Sequence, residues 1–425
     1  MKRVITYGTY DLLHYGHIKL LERAKELGDY LIVGVTSDDF DRTRGKINVK
    51  QSLMERVESV RQTGLADEII VEEYEGQKID DIQRLGVDIF TVGSDWVGKF
   101  DYLGDYCKVV YLDRTQGVSS TELRSQSREI RMGVVGHSHI VAKYKAESEF
   151  VNGLTIVDDA SPEDVDAVYI VSHPTRHYED CRRAIEAGKH VLCESPLALD
   201  EAQVKELFSL ADTKGVLLVE GLKTAYSTAY SRMILLARGG RIGDIVSVDS
   251  TCTSLKNLDY ADDERLASEW NSLTSWGPTA LLPVFDLLGT EWEDAQIFSR
   301  IVNSRLNFDD FSKISLLYNG AVSSSKVGKG VKSEGELVIS GTEGYIYVPA
   351  PWWKTDYFEL RFENPEKNRR YFYQLDGEGI RNELVSFVRM MEGTAVNPIS
   401  RATSLAFARV MGAAGIRTVN LQKEQ

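Results

Sequence analysis

The 425-residue chain has no apolar run near the roughly 18 residues that a membrane-crossing helix needs. Its start, MKRVITYGTYDLLHYGH, enters a strand-and-loop pattern directly. It shows no apolar h-region and no small-residue cleavage site, so no signal peptide is expected. Cysteine is scarce: Cys107, Cys181, Cys193 and Cys252 form no CxxC pair and are too few for a disulfide framework. A reduced, cytoplasmic setting is the simple expectation. There is no excess of positive charge either. The net charge is −14, with 17 basic and 22 acidic side chains in residues 1–127 and 33 and 42 in the remainder. Neither part is basic, so nucleic acid is not an expected partner. Any phosphate site has to come from a local cluster. Internal repeats and low-complexity segments are also absent.

What remains is an ordinary globular composition, 43% hydrophobic and 27% charged, in a chain long enough for two or three domains. Two strand–loop–helix openings stand out. The first is residues 4–7, then Gly8-Thr9-Tyr10-Asp11, then an amphipathic helix over 17–27. The second is residues 131–135, then Gly136-His137-Ser138-His139, then a helix. The polar stretch 121–130 between them reads as a closing helix and a short linker. In the first part, apolar runs at 30–35, 68–71, 89–92 and 109–112 alternate with helical patterns, which predicts a doubly wound parallel α/β sheet. The second part begins the same way, with buried strands at 167–171 and 190–193. Beyond about residue 240 the pattern shifts to strands at 244–252, 313–318, 335–339 and 345–348, with a helix over 382–391. The expected architecture is α/β throughout: a parallel-sheet domain (1–127), a second, shortened Rossmann-like domain (128–240), and a mostly antiparallel α+β sheet domain (241–425).

The richest stretch for chemistry is Gly8-Thr9-Tyr10-Asp11-Leu12-Leu13-His14-Tyr15-Gly16-His17. It lies where a strand ends and a helix begins, and there backbone N–H groups and the helix dipole converge on one point, a setting suited to a polyphosphate. His14 and His17, three apart, share a face. Gly16 keeps a side chain out of the way. Two surface histidines in a first helical turn would look the same in isolation.

The stretch resembles the HxGH signature of the cytidylyltransferase superfamily. Further elements narrow the resemblance to bacterial glycerol-3-phosphate cytidylyltransferases. They are Ile18-Lys19-Leu20-Leu21-Glu22-Arg23-Ala24-Lys25, then Gly93-Ser94-Asp95-Trp96-Val97-Gly98-Lys99-Phe100-Asp101, then Arg114-Thr115-Gln116-Gly117-Val118-Ser119-Ser120-Thr121. The last matches the family's RTxGxSTT element. The resemblance covers residues 1 to about 125. It implies transfer of CMP from CTP to glycerol 3-phosphate, giving CDP-glycerol and pyrophosphate for a cell-envelope polymer such as teichoic acid or capsule. Mg2+ would be carried mainly by the CTP phosphates, with no dedicated metal site, and a homodimer is implied. It assigns His14, His17, Lys46 and Arg114 to catalysis, and Gly8, Thr9, Tyr10, Gly16, Asp95, Ser119, Ser120 and Thr121 to CTP. Asp11, Asp38 and Arg56 fall to the polyol phosphate, with Arg56 holding its phosphate. The segment 43–50 departs mildly from the family pattern, which leaves another polyol phosphate open as acceptor.

The second part resembles the Gfo/Idh/MocA oxidoreductases. The resemblance rests on Asp166-Ala167-Val168-Tyr169-Ile170, on the run from Ala184 to Leu199, and on the run from Gly335 to Val348. It implies NAD(P), held weakly if at all through Gly136, Ser138, His173, His177 and Glu194. Ser138 and Val141 stand where the dinucleotide turn has glycines. The family's Glu-Lys-Pro triplet is Glu194-Ser195-Pro196 in this chain, and its Asp-x-Gly-x-His element aligns with Ser275-Trp276-Gly277-Pro278-Thr279. Serine and threonine are poor acids and bases near neutral pH without an activating partner. Lys223 is a candidate replacement acid. The alternatives are therefore a non-catalytic module, a second reductase active on a small sugar phosphate, or a ligand sensor or scaffold.

Overall fold

A computed structural model describes residues 1–43, 49, 51–74, 76–113, 130–151, 153–157, 162–260, 262–373, 375–412 and 417–418. The polar segment expected to close the first domain lies, up to Glu129, outside them. The chain divides into two compact units, Met1–Arg128 with Gly393–Val396 and Glu129–Glu392 with Asn397–Gln425.

The first unit is built on five parallel strands, β1 (Arg3–Gly8), β2 (Tyr30–Thr36), β3 (Glu68–Glu72), β4 (Ile89–Gly93) and β5 (Lys108–Leu112). Their order is β3-β2-β1-β4-β5. Parallel neighbours need crossovers, and α1 (Tyr15–Lys25), α3 (Leu53–Gln62) and α4 (Gln77–Leu85) supply them, with the short α2 (Asp38–Thr43) before α3. Val4, Ile5, Ile32, Val33 and Phe90 are completely buried. The central strands read as unbroken apolar runs because helices cover both faces. The start of α3 is fixed by a reciprocal cap: Ser52 N–H donates to Glu55 Oε2 at 2.7 Å and Glu55 N–H to Ser52 Oγ at 3.4 Å. The strand order reverses at β1, whose neighbours are β2 and β4. A ligand crevice therefore belongs outside the carboxyl ends of β1 and β4.

The second unit opens with another parallel sheet, ordered β10-β9-β8-β6-β7. Its strands are β6 (Ile130–Val135), β7 (Leu154–Val157), β8 (Ala167–Ile170), β9 (His190–Glu194) and β10 (Leu218–Gly221), and its first two helices are α5 (Ile140–Ser148) and α6 (Pro174–Glu186). Among the described residues, only a 3-10 turn at Pro162–Asp164 lies between β7 and β8. The shortening read from the sequence is thus a missing crossover helix. A nine-stranded sheet follows, ordered β18-β17-β16-β15-β11-β14-β13-β12-β19, in which β13 is Phe308–Tyr318, β15 Leu337–Gly341, β16 Gly344–Val348, β17 Tyr357–Phe362 and β18 Arg369–Phe372. It is mostly antiparallel, but β11 (Ile245–Thr253) pairs in parallel with β14 (Ala321–Gly328), and β12 (Asp294–Asn303) with β19 (Arg417–Thr418). One face is covered by α7 (Ser272–Leu288), whose Ala280, Leu281 and Val284 are buried with Val248, Ile314 and Ile339 of the sheet. The 275–279 element lies within this helix.

One close approach in the first sheet is testable. A Cβ on Gly34 would lie 2.2 Å from Tyr7 Cδ1. The Tyr7 ring cannot retreat, because its hydroxyl donates to Asp81 Oδ2 at 2.9 Å and its face meets Phe90 at 6.1 Å. Gly34→Ala is expected to destabilise the first unit by about 1–3 kcal/mol. Urea unfolding reads this as a lower midpoint at unchanged slope, and an unchanged midpoint would refute the packing argument.

Candidate active site

The loop from β1 to α1 is held in an unusual shape. Tyr10 (φ 54°) and Leu12 (φ 48°) both lie in the left-handed region. Each such non-glycine residue costs on the order of 1 kcal/mol and persists only where its surroundings fix it. The fixing contacts are present. Gln51 N–H donates to Asp11 Oδ1 at 2.9 Å, and Leu12 N–H donates to Gln51 Oε1 at 2.6 Å. Thr9 Oγ1 donates to Asp41 Oδ1 at 3.0 Å. Tyr10 folds its ring back into the core, 1% exposed, and a Cβ on Gly8 would stand 3.0 Å from that ring. What Tyr10 can offer a nucleotide is therefore its backbone.

Arg56 is completely buried. Its Nε donates to Gln51 O at 3.0 Å, and its Nη1 to Thr9 O at 2.6 Å and Thr36 O at 2.7 Å. Its Nη2 bonds the Asp38 carboxylate, and Asp41 Oδ2 lies 3.9 Å from Nη1. In this arrangement the Arg56 side chain is buried and its Nε, both Nη1 hydrogens and one Nη2 hydrogen are turned to protein acceptors. Asp38 is likewise engaged, with Leu53 N–H 3.4 Å from Oδ2 at the start of α3.

The two histidines come together at the mouth of this loop. His14 is the N-cap of α1 rather than part of its first turn, and His17 lies one turn in. The rings stack at 3.9 Å between centroids, 20° from parallel. Gly16 N–H donates to His14 Nδ1 at 3.1 Å, and His14 N–H donates to His17 Nδ1 at 3.5 Å. An Nδ1 that accepts carries no proton, so both neutral rings bear theirs on Nε2, facing away from the helix backbone. A Cβ on Gly16 would lie 3.1 Å from the His14 ring. Glycine is thus needed to seat that ring, besides keeping the approach open. Asp95 sits in the turn Ser94–Trp96 directly after β4, beside the same crevice, with its side chain outside the described residues, as are Lys46, Arg114, Ser119, Ser120 and Thr121.

In the second unit the expected cofactor residues separate. Gly136 (φ 101°) lets the turn after β6 press against the end of β8, since a Cβ there would stand 2.5 Å from Ser172 N. Ser138 Oγ only meets Ile140 N–H, at 3.4 Å. His173 caps α6, with Nδ1 2.9 Å from Thr175 Oγ1, and burial holds its pKa below the usual range. His177 departs from expectation. It is completely buried, with Nδ1 2.7 Å from Pro196 O and Nε2 2.9 Å from Ser172 O. It clasps two backbone segments and offers nothing to a cofactor. Glu194 accepts the Tyr169 hydroxyl, and burial raises its pKa. Ser195, in the family's lysine position, donates to Glu220, a carboxyl that burial pushes up to about 7. Lys223 is tied up by Glu378, 2.7 Å away.

A 3-2-1-4-5 parallel sheet with paired imidazole donors at its switch point defines an α/β nucleotidyltransferase. Residues 5–126 match the Cytidylyltransferase-like family, and residues 125–222 match the Gfo/Idh/MocA oxidoreductase family, NAD-binding Rossmann fold. The glycerol-3-phosphate cytidylyltransferase of Bacillus spizizenii is 52% identical over 124 residues, 29% of this chain and 95% of that protein. Its counterpart in Staphylococcus aureus is 50% identical over 129 residues, 30% of this chain and 95% of that protein. Through its first unit the chain belongs to the glycerol-3-phosphate cytidylyltransferase family. A 3-ketoreductase from Actinomadura kijaniata, solved with NADP and TDP-benzene, superposes on 69% of this chain and 99% of its own. The TM-score is 0.57 at 20% identity, a likeness of fold.

The capping geometry has a spectroscopic consequence. Burial holds the His14 pKa below the ordinary 6.5, so its neutral form stabilises the fold fully above pH 6.5 and progressively less as pH falls below it. Nitrogen-15 NMR of the histidine rings should show His14 titrating below 6.5 with Nε2 protonated in the neutral state. A neutral form protonated on Nδ1 would contradict the assigned cap.

Proposed function

We propose that the first unit transfers CMP from CTP to glycerol 3-phosphate, releasing pyrophosphate and forming CDP-glycerol. The observation that carries this reading is the pair of stacked imidazoles at the start of α1, each with its Nδ1 accepting a backbone N–H. A phosphate oxygen of the acceptor attacks the α-phosphorus of CTP. The new P–O bond forms as the bond to the β-phosphate bridging oxygen breaks, and pyrophosphate carries away that electron pair. Charge grows on the α-phosphoryl oxygens, and fixed N–H donors stabilise it with little reorganisation. His14 and His17 donate there. Gly8, Thr9 and Gly16 let the backbone approach the nucleotide, and Asp11 shapes the acceptor side with Asp38. In this reading Lys46 and Arg114 supply positive charge, and Ser119, Ser120, Thr121 and Asp95 complete the CTP site.

Mg2+ is left to the CTP phosphates. Among the described residues no group of three or more His, Cys, Asp and Glu side chains is placed to hold a metal ion.

The test is pyrophosphate release from CTP with glycerol 3-phosphate, run beside ribitol 5-phosphate, erythritol 4-phosphate and phosphoethanolamine. His17→Ala is expected to lower kcat by about 10²–10³-fold, the usual effect of removing one transition-state donor. Undiminished turnover in the variant would sink the assignment of the site.

For the second unit, we propose a ligand-binding module that has lost hydride-transfer chemistry, with its Rossmann part (128–240) and its sheet part (241–425) as two domains. Ser195 paired to Glu220 supports this reading. A reductase reading is favoured only by the family match over 125–222 and the glycine-dependent approach at Gly136. NADPH and NADH fluorescence titrations separate the two readings. No oxidation of NADPH by small sugar phosphates is expected, and steady-state turnover would reverse the conclusion.

A further inference from the structure

Three lysines from three different elements converge on one carboxylate in the second unit. Lys143 belongs to α5, Lys223 opens the turn after β10, and Lys354 ends the turn Trp352–Lys354. Lys143 Nζ lies 3.1 and 3.2 Å from the two oxygens of Glu378. Lys223 Nζ lies 2.7 Å from Oε2, and Lys354 Nζ lies 3.1 Å from Oε1. Exposed ion pairs form readily one to one, but three ammonium groups on a single carboxylate leave two charges uncancelled. Of the neighbouring acids, Glu147 is already paired with Arg381. Glu383 accepts the Tyr144 hydroxyl and burial pushes it up to about 8, while Glu194 is raised as well. Both feel Lys223.

The lysines are fixed from behind, so the cluster keeps its shape. Trp352 and Trp353 beside Lys354 are buried, and Thr224 Oγ1 next to Lys223 donates to Trp353 O at 3.3 Å. The backbone that carries Glu378 is wedged into place. Gly377, Glu378 and Gly379 have φ of 62°, 55° and 89°. A Cβ on Gly377 would stand 2.2 Å from Glu147 Oε2, and one on Gly379 would stand 2.5 Å from Lys223 O. The two glycines take positive φ freely, so Glu378 is the one residue of the three held in a disfavoured conformation. They hold the Glu378 backbone still while leaving its side-chain torsions to move. Lys223, Glu194 and Tyr169 also mark the carboxyl edge of the second parallel sheet, where ligands of such sheets bind.

We propose that Lys143, Lys223 and Lys354 form a binding site for the phosphate group of a small phosphorylated ligand, with the Glu378 carboxylate as an internal stand-in that the ligand displaces. A phosphate dianion matches the uncancelled charge, whereas a single carboxylate does not. The proposal rests on the second unit alone and is independent of CMP transfer by the first.

The test uses the full-length chain carrying His14→Ala and His17→Ala, so that phosphate bound at the first site does not dominate. Inorganic phosphate and glycerol 3-phosphate are titrated by calorimetry and by thermal melting, against chloride at equal ionic strength. Glu378→Gln should melt lower than its parent, bind phosphate about tenfold more tightly, and regain its melting temperature as phosphate is added. Adding Lys223→Ala and Lys354→Ala should abolish that binding. Should Glu378→Gln fail to fold, Lys354→Gln alone in the parent must weaken phosphate binding. Equal phosphate affinity in parent and Glu378→Gln, or binding that survives loss of the lysines, overturns the proposal. A preference for glycerol 3-phosphate over inorganic phosphate would place the organic part of the ligand in the same site.

Discussion

The first site depends on one buried guanidinium. Arg56 reaches three backbone carbonyls, at Thr9, Thr36 and Gln51, which belong to the loop after β1, the end of β2 and the approach to α3. A lysine could not replace it, because its three donors rotate about a single nitrogen, whereas the planar fork fixes directions. Burying the charge is tolerable only with compensation, and Asp38 and Asp41 provide it. Once these segments are tied, the left-handed residues Tyr10 and Leu12 have no room to relax. The loop then delivers His14 to the N-cap of α1.

Much of this frame was legible in the sequence, for identifiable reasons. The central strands of both parallel sheets are buried on two faces, so they read as plain apolar runs. The nine-stranded sheet was only half legible. β14 is AVSSSKVG, and its buried Ser325 accepts a hydrogen bond from Ser250 at 2.9 Å, so hydroxyl pairing replaces the apolar alternation that marks a strand. β12, β17 and β18 mix charged residues into short ladders and leave a similarly weak trace. At the site, the histidine pair and its glycine were visible as a motif. The roles of Asp41 and Gln51 were not, because each acts on a loop some thirty to forty positions away. Arg56 was noticed, but a sequence shows that a cation is present and says nothing of the carbonyls it reaches. His177 was likewise visible without its two backbone partners.

The second unit keeps a parallel-sheet frame in which several polar side chains are turned to one another or to the backbone. Ser195 and Glu220 close on each other, and His177 has both nitrogens against carbonyl oxygens. A ring so placed contributes to holding Ser172 near Pro196, and any motion toward a ligand would leave a buried carbonyl without its donor. Such residues are retained by the fold whether or not a reaction is catalysed, so the family outline alone does not carry an activity.

The two units also meet anionic groups by different means. In the first, the donors proposed are imidazole N–H groups, with the Nδ1 of each ring taken up by a backbone N–H. Neutral donors need no counter-charge when no ligand is present, so the cradle can stand open without penalty. In the second, the donors are ammonium groups, which repel one another unless something negative lies among them. Screening at physiological ionic strength weakens this only beyond about 8 Å, farther than the spacing of nitrogens that share one carboxylate. A lysine cluster of this kind must therefore contain its own anion, and Glu378 is that anion. The constraint explains why a strained Gly-Glu-Gly turn is kept at this spot: the backbone accepts an unfavourable conformation because the alternative is three uncompensated charges.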